Sequence, residues 1–379
     1  MKIGTKILHT GNEVDPVTGA VSIPVYHAAT FQQAKADAFG PYDYSRSGNP
    51  TRSALEAIIA GLEGGGKGFA FSSGMAAISS VFLLFSAGDH LVACEDVYGG
   101  TYRVLTKLFN RLGIEATFVD FTDTERISEA IRPNTRALYL ETPSNPLLRI
   151  TDLRAVSALA REKGLLTIID NTFMTPYLQR PFEHGMDIVI HSATKYLGGH
   201  SDLIAGLAVA ADEKLAGRIK FIQNAFGAVL GPQDCWLLMR GIKTLKARMD
   251  LHQRGAARLA EWLAGRPEVK EVFFPGLPDH PGREIHERQA DGPGGIVSFR
   301  LPTEEATRRF LEKVRLPALA VSLGGVESII TYPVTMSHAA MHPDHRRRIG
   351  VTGDLVRLSV GIEDPDDLIE DLDSALKRI

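Results

Sequence analysis

Cysteine is nearly absent. Two in 379 residues, Cys94 and Cys235, cannot build a disulfide framework, which excludes small secreted scaffolds and suits a reducing, cytoplasmic setting. Cys94 closes the apolar run Leu91-Val92-Ala93 and reads as a buried structural thiol rather than a nucleophile. A surplus of one charge is missing too. The 42 Lys and Arg stand against 45 Asp and Glu, a net charge of -3 at pH 7, so no basic field draws nucleic acid. Long apolar runs are lacking: the one stretch that resembles a membrane span, 68–88, is interrupted by Ser72, Ser73, Gly74, Ser79 and Ser80. A strand, a tight turn and a buried helix explain it better. Met1-Lys2-Ile3-Gly4-Thr5 has no apolar signal core. No Gly-x-Gly-x-x-Gly turn follows the first predicted strand, which disfavours a nucleotide-binding or regulatory module on a doubly wound sheet.

What is present is an ordinary globular composition, 44% apolar and 23% charged, with room for two or three domains. Residues 1–50 carry turn formers and aromatics without a sustained helical period and read as an extended arm that crosses to a neighbouring subunit. Over 51–245 short apolar strands (69–71, 91–94, 116–119, 137–141, 165–170 and 187–191) alternate with helical segments. This predicts an α/β domain with a mostly parallel central sheet covered on both faces. Residues 246–379 read as a smaller C-terminal α/β domain with strands at 269–274, 296–299 and 355–360, and the Pro- and Gly-rich stretch 275–295 as a loop. A single helical stretch spans 233–263.

In such sheets ligands sit beyond the carboxyl ends of the strands. Lys195 follows the strand ending in Ile190-His191, and Asp170 ends another. An amine for a Schiff base and a carboxylate to keep a pyridine nitrogen protonated are what pyridoxal phosphate requires. Alone, each reads equally well as a surface lysine or a capping aspartate; together they favour the cofactor. Ser72-Ser73-Gly74-Met75 stands where a strand turns into a helix, an arrangement that suits either phosphate binding or a simple Ser cap. Tyr98-Gly99-Gly100 lets a ring and backbone lie close to a flat ligand, with a loop holding a buried Tyr as the alternative. In the arm, Arg46 and Tyr44 offer a guanidinium and a hydroxyl to a phosphate, while Asn49-Pro50-Thr51 suits a turn into the next helix. Arg357 interrupts the apolar run Leu355-Val356-Arg357-Leu358, and a buried Arg favours capture of a substrate carboxylate. His338, His342 and His345 lack the carboxylates or cysteines that would complete a metal site, so no metal is expected. His191 and His200 read as packing or hydrogen-bonding residues.

With these residues in view, the chain resembles the Cys/Met-metabolism family of pyridoxal-phosphate enzymes from about Gly11 to the C-terminus. The resemblance is carried by 44–51 (YSRSGNPT), 72–75 (SSGM), 96–101 (DVYGGT), 141–146 (ETPSNP), 170–172 (DNT), 192–200 (SATKYLGGH) and 322–328 (SLGGVES). It implies an aspartate-aminotransferase-like fold (fold type I) and a homotetramer built from tight dimers, each site borrowing Tyr44 and Arg46 from the partner. It further implies that Lys195 carries the cofactor, Asp170 pairs with the ring nitrogen, and Gly74, Met75, Ser192 and Thr194 hold the phosphate. By the same resemblance Tyr98 stacks on the ring and protonates the leaving sulfur, Asn145 approaches the ring hydroxyl, and Ser322 and Arg357 receive the substrate carboxylate.

Within the family, Asp43 and Arg103 match acidic and basic positions of members that handle a charged distal group. Gly100 stands where methionine γ-lyases commonly carry Cys. Val321 points the other way, standing where cystathionine γ-lyases usually carry Glu. The balance implies α,γ-elimination of cystathionine to cysteine, 2-oxobutanoate and ammonia, with a γ-synthase or homoserine-ester sulfhydrylase and a methionine γ-lyase as alternatives.

Overall fold

The computed structural model describes residues 1–379. Seven strands form the larger sheet: β1 Lys67–Phe71, β2 His90–Cys94, β3 Glu115–Val119, β4 Thr135–Glu141, β5 Leu166–Asp170, β6 Ile188–Ser192 and β7 Gly206–Ala210. Their order is β1-β7-β6-β5-β4-β2-β3. All neighbours between β6 and β3 run parallel, whereas β7 is antiparallel to both β6 and β1. β2 and β7 are buried along their whole length, as expected of strands covered on both faces. Two apolar cores, of 42 and 26 buried residues, line the faces of this sheet. Both β5 and β6 end at the same edge, which puts Asp170 and the segment after Ser192 side by side.

A second sheet follows, built from β8 Glu271–Phe273, β9 Ile296–Arg300, β10 Ala318–Leu319, β11 Ile329–Thr331 and β12 Leu355–Ser359 in the order β10-β11-β12-β9-β8. It is antiparallel apart from the β10–β11 pair. Its own core of 19 buried residues packs under helices Leu245–Ala264, Glu304–Lys313 and Pro365–Leu376. No helix is long and apolar enough to cross a membrane.

The structure departs from the sequence expectations in four places. The arm is not extended throughout, because Ile3–His9 is a helix that buries Ile7 against helix Pro50–Glu63. Beyond it the arm has only the isolated bridges Thr30–Tyr44 and Lys35–Ala38. Strands β7, β10 and β11 were not expected: β7 is a five-residue run with a Gly at its head, and β10 and β11 have two and three residues. The stretch 275–295 is not all loop, since Arg283–Gln289 is helical.

The helical stretch is two helices, Pro232–Lys243 and Leu245–Ala264. At the break Arg248 donates to Gly241 O at 2.8 Å, to Thr244 Oγ1 at 3.0 Å and to Tyr196 O at 2.7 Å. The second helix thereby caps the first and grips the chain next to Lys195.

Candidate active site

Lys195 sits three residues beyond β6, and its amine donates to Ser322 Oγ at 2.8 Å. Burial and the nearby Arg357 guanidinium push that amine down to about 8, against the pull of Asp170. Asp170 closes β5, where Thr172 binds it through both its amide, at 3.0 Å, and its hydroxyl, at 2.5 Å. The same hydroxyl accepts from the Ser192 amide at 2.8 Å. Burial raises the Asp170 carboxyl, and the Thr172 bonds, His191 and Lys195 oppose it. A cationic ring nitrogen against this carboxyl would oppose the rise further, which is the fit expected of a pyridinium.

Glu141 stands in register with Asp170 on β4, and it accepts from the Tyr98 amide at 2.9 Å. Burial first, and then Asp170, raise the Glu141 carboxyl well above its usual range. The ring of Tyr98 folds over Gly100, where an added Cβ would meet Tyr98 Cε1 at 2.4 Å and Met75 Sδ at 2.8 Å. A side chain at 100 would have to displace the Tyr98 ring or the Met75 thioether, so glycine lets the ring lie this close to the backbone.

Helix Gly74–Phe82 begins after β1 with Ser73 as its cap, the Ser73 side chain accepting from the Ala76 amide at 3.0 Å. The amides of Gly74 and Met75 precede that bond and point out at the positive end of the helix dipole. A Cβ on Gly74 would lie 2.9 Å from Ser192 Oγ, so the Ser192 hydroxyl and the helix start form one cradle. That cradle suits a phosphate. Thr194 Oγ1 is engaged with Ala205, accepting from its amide at 3.0 Å.

Arg357 lies on β12 and is 2% exposed. It donates to Asn145 Oδ1 at 2.9 Å, to Ser322 O at 2.8 Å and to Thr331 Oγ1 at 3.1 Å. All of these acceptors are neutral, and its buried Nε has no partner. Burial lowers the guanidinium to about 10. A buried cation held only by neutral groups fits an arriving carboxylate. Asn145, in the loop after β4, is itself held from behind, its carbonyl accepting from His338 Nε2 at 3.1 Å.

Of the predicted site residues, Lys195, Asp170, Gly74, Met75, Ser192, Thr194, Tyr98, Asn145, Ser322 and Arg357 thus gather at the carboxyl edge of the large sheet and the facing part of the small one. Tyr44 and Arg46 do not join them within one chain. Both are exposed, with the Arg46 guanidinium 5.6 Å from the Tyr44 ring. Asp43, Arg103 and Val321 are also exposed, and Asp43 caps its own turn by accepting from the Tyr44 amide at 2.6 Å. Sequence reasoning gave no role to Thr172, Glu141, Thr331 or His338, although the first two lie in recognised strings. The polar environment of Arg357 was the signal for Thr331, and only the fold reveals it. His338, His342 and His345 have separate partners: Asn145 for the first, Asp344 for the second, and the Tyr102 ring for the third.

Residues 4–377 match the family described as Cys/Met metabolism PLP-dependent enzyme. The chain belongs to that family. It is a pyridoxal-phosphate-dependent enzyme with the fold type I architecture. Cystathionine beta-lyase MetC of Bacillus subtilis is 57% identical over 99% of this chain and 96% of its own. Cystathionine gamma-lyase of the same organism is 52% identical over the whole of both chains. The crystal structure of cystathionine gamma-lyase from Lactobacillus plantarum complexed with L-serine superposes with a TM-score of 0.97 at 47% identity, covering 100% of this chain and 99% of that one. The family members are transsulfuration lyases and synthases, and the relatives' names divide between the two carbon–sulfur bonds of cystathionine.

Proposed function

We propose that this member cleaves cystathionine at the Cγ–S bond, releasing cysteine, 2-oxobutanoate and ammonia with the uptake of one water. The observation that carries the reading of an amino-acid substrate is Arg357, a buried cation without a carboxylate partner, close to the half-buried amine of Lys195. Asp43 and the exposed Arg103, in the second turn of helix Gly99–Lys107, supply opposite charges for a distal amino-acid group.

When bound, pyridoxal phosphate supplies the electron sink that stabilises negative charge at the carbons of the amino acid. The protein does the rest. Gly74, Met75, Ser192 and Thr194 hold the phosphate, Asp170 keeps the ring nitrogen charged, and Asn145 orients the ring. Arg357 and Ser322 bind the α-carboxylate, so that the Cα proton lies toward Lys195. The Lys195 amine takes that proton and, for γ-elimination, would have to give it up again before it can take a second one from Cβ. Tyr98 gives a proton to the departing sulfur. Tyr44 and Arg46, exposed in the single chain, serve the phosphate of a second copy in a homotetramer of paired dimers.

A second reading is favoured by the 57% identical relative named as a beta-lyase. Elimination at Cβ would release homocysteine and pyruvate from the same substrate. Product analysis with cystathionine separates the two, 2-oxobutanoate with cysteine supporting γ-elimination and pyruvate with homocysteine replacing it by β-elimination. Little oxoacid from cystathionine, together with condensation of cysteine and an activated homoserine ester, would establish the synthase reading instead. A preference for methionine over cystathionine would make the chain a methionine γ-lyase.

A further inference from the structure

Behind the cofactor residues lies a polar network that the mechanism above does not use. Glu63 ends helix Pro50–Glu63, and its side chain is fully buried, as is that of His191. One oxygen, Glu63 Oε1, accepts from His191 Nε2 at 2.5 Å and from Asn171 Nδ2 at 3.1 Å. The other oxygen, Oε2, and His191 Nδ1 have no partner. His191 lies on β6 four residues before Lys195, and Asn171 directly follows Asp170 at the end of β5. A single oxygen therefore joins the two strand ends that carry the amine and the carboxylate.

As a stabilising device this arrangement is poor. A carboxylate at a helix C-terminus meets the negative end of the dipole, its burial beside one imidazole is costly, and a partnerless oxygen adds to the penalty. The chain nevertheless presses the helix end inward. Gly64 leaves the helix at φ +79°, and a Cβ on Gly65 would meet Val209 Cγ1 at 2.5 Å, so only glycine lets the backbone turn down against the sheet here.

We infer that Glu63 is a positioning residue for the cofactor. Through His191 and Asn171 it sets the spacing between Lys195 and Asp170, which must reach the aldehyde carbon and the ring nitrogen on opposite sides of one pyridine ring. The network extends this tie toward Asn145. Gln179 donates to Asn171 Oδ1 at 3.0 Å and to Thr142 O at 3.1 Å, and its own carbonyl accepts from Asn171 at 2.8 Å.

The test uses the holoenzyme. Cofactor affinity, visible circular dichroism of the bound pyridoxal phosphate, and thermal midpoints with and without cofactor are measured for Glu63→Gln, Asn171→Ala, their double variant and Ile59→Val. Glu63→Gln keeps the volume and exchanges an acceptor for a donor, and roughly tenfold weaker cofactor binding with a reduced dichroic band is expected. Asn171→Ala cuts the Asp170 branch together with the two bonds to Gln179, leaves the His191 branch in place, and should weaken binding as well. The double variant should lose less than the sum of the two single losses, because both break the Glu63–Asn171 link. Ile59→Val, a buried change in the same helix, should lower the midpoint and leave affinity and dichroism alone. Unchanged affinity and dichroism in Glu63→Gln, with equal losses of midpoint in the two forms, overturns the inference. If Glu63→Gln does not fold, Asn171→Ala decides: unchanged affinity overturns it, and weakened affinity with an unmoved midpoint of the cofactor-free form supports it. The inference rests on Lys195 and Asp170 as cofactor residues. An unmodified chain that binds no pyridoxal phosphate, or a Lys195→Ala variant that keeps its absorption band, would refute that assignment and not the tie through Glu63.

Discussion

The amine of Lys195 lies 2.8 Å from the hydroxyl of Ser322, whose backbone sits at φ +90°. Few non-glycine residues adopt this region, and holding one there costs about 1–3 kcal/mol. The strain is held by Arg357, which donates to Ser322 O at 2.8 Å. One strained residue thus presents its hydroxyl to the Lys195 amine and its carbonyl to the Arg357 guanidinium.

Removing the hydroxyl separates these effects. Ser322→Ala keeps the strained backbone and loses the contact with Lys195, so kcat/KM for cystathionine should fall by roughly tenfold or more. Ser322→Gly should be as impaired in turnover and about 1 kcal/mol more stable than Ser322→Ala, because glycine takes positive φ freely. Urea unfolding of the two variants, read beside their steady-state rates, checks both expectations. Equal stability would show that φ +90° is not strained here.

Asp170→Asn should retain the cofactor and lose most turnover. A neutral partner no longer holds the ring nitrogen protonated, and breaking a buried charge pair costs about 3–5 kcal/mol. If that loss is felt in the transition state, the rate falls by about a thousandfold. Thr172→Val removes the hydroxyl that binds Asp170 and the Ser192 amide, and its loss should be smaller, on the order of tenfold. Turnover near that of the unmodified chain in Asp170→Asn removes Asp170 from the mechanism.

How much of this was legible in the sequence depends on how local the signal is. Lys195 and Asp170 stand directly after apolar strands, and Arg357 is a charge in an apolar run, so the strand pattern alone marks them. Thr172 and Glu141 lie in strings the family shares, but their contacts with Ser192 and Tyr98 join strands far apart in the chain. Glu63 and His191 are 128 positions apart and meet only because the helix ends against the sheet. No periodicity encodes such a meeting. The unexpected helix Ile3–His9 buries a single residue, too little to write a helical period, and β7 is short and antiparallel in a sheet otherwise read as parallel. Asp43, Arg103 and Val321 are exposed surface in one chain.

The arm offers a test of assembly. Tyr44→Phe with Arg46→Ala should weaken cofactor binding if both reach the phosphate of a neighbouring copy. Mixing this variant with Lys195→Ala should then produce hybrid dimers in which one site carries both defects and the other carries neither. Activity should reappear in the mixture after subunit exchange. With exchange confirmed by mass-tagged chains, no recovery would mean that the arm serves its own subunit.

Capture of the cofactor by the cofactor-free chain should report the ionisation of Lys195. Only the neutral amine attacks the aldehyde, and burial together with Arg357 brings its midpoint down to about 8, from the usual value for lysine. The rate at which the yellow absorption appears should therefore rise through pH 8 and level off above it. The phosphate of the cofactor is half-way through its second ionisation at about pH 6 and almost fully ionised by about pH 8, so it adds little slope there. Two substitutions should move the curve in opposite directions. Arg357→Leu removes a neighbouring positive charge, which favours the protonated amine and shifts the rise to higher pH. Asp170→Asn removes a negative charge that favours the protonated amine, so the rise shifts to lower pH. A curve for the unmodified chain that is still climbing steeply at pH 10 would mean that Lys195 keeps an ordinary lysine ionisation, and shifts of the same sign in both variants would show that neither charge acts on it directly.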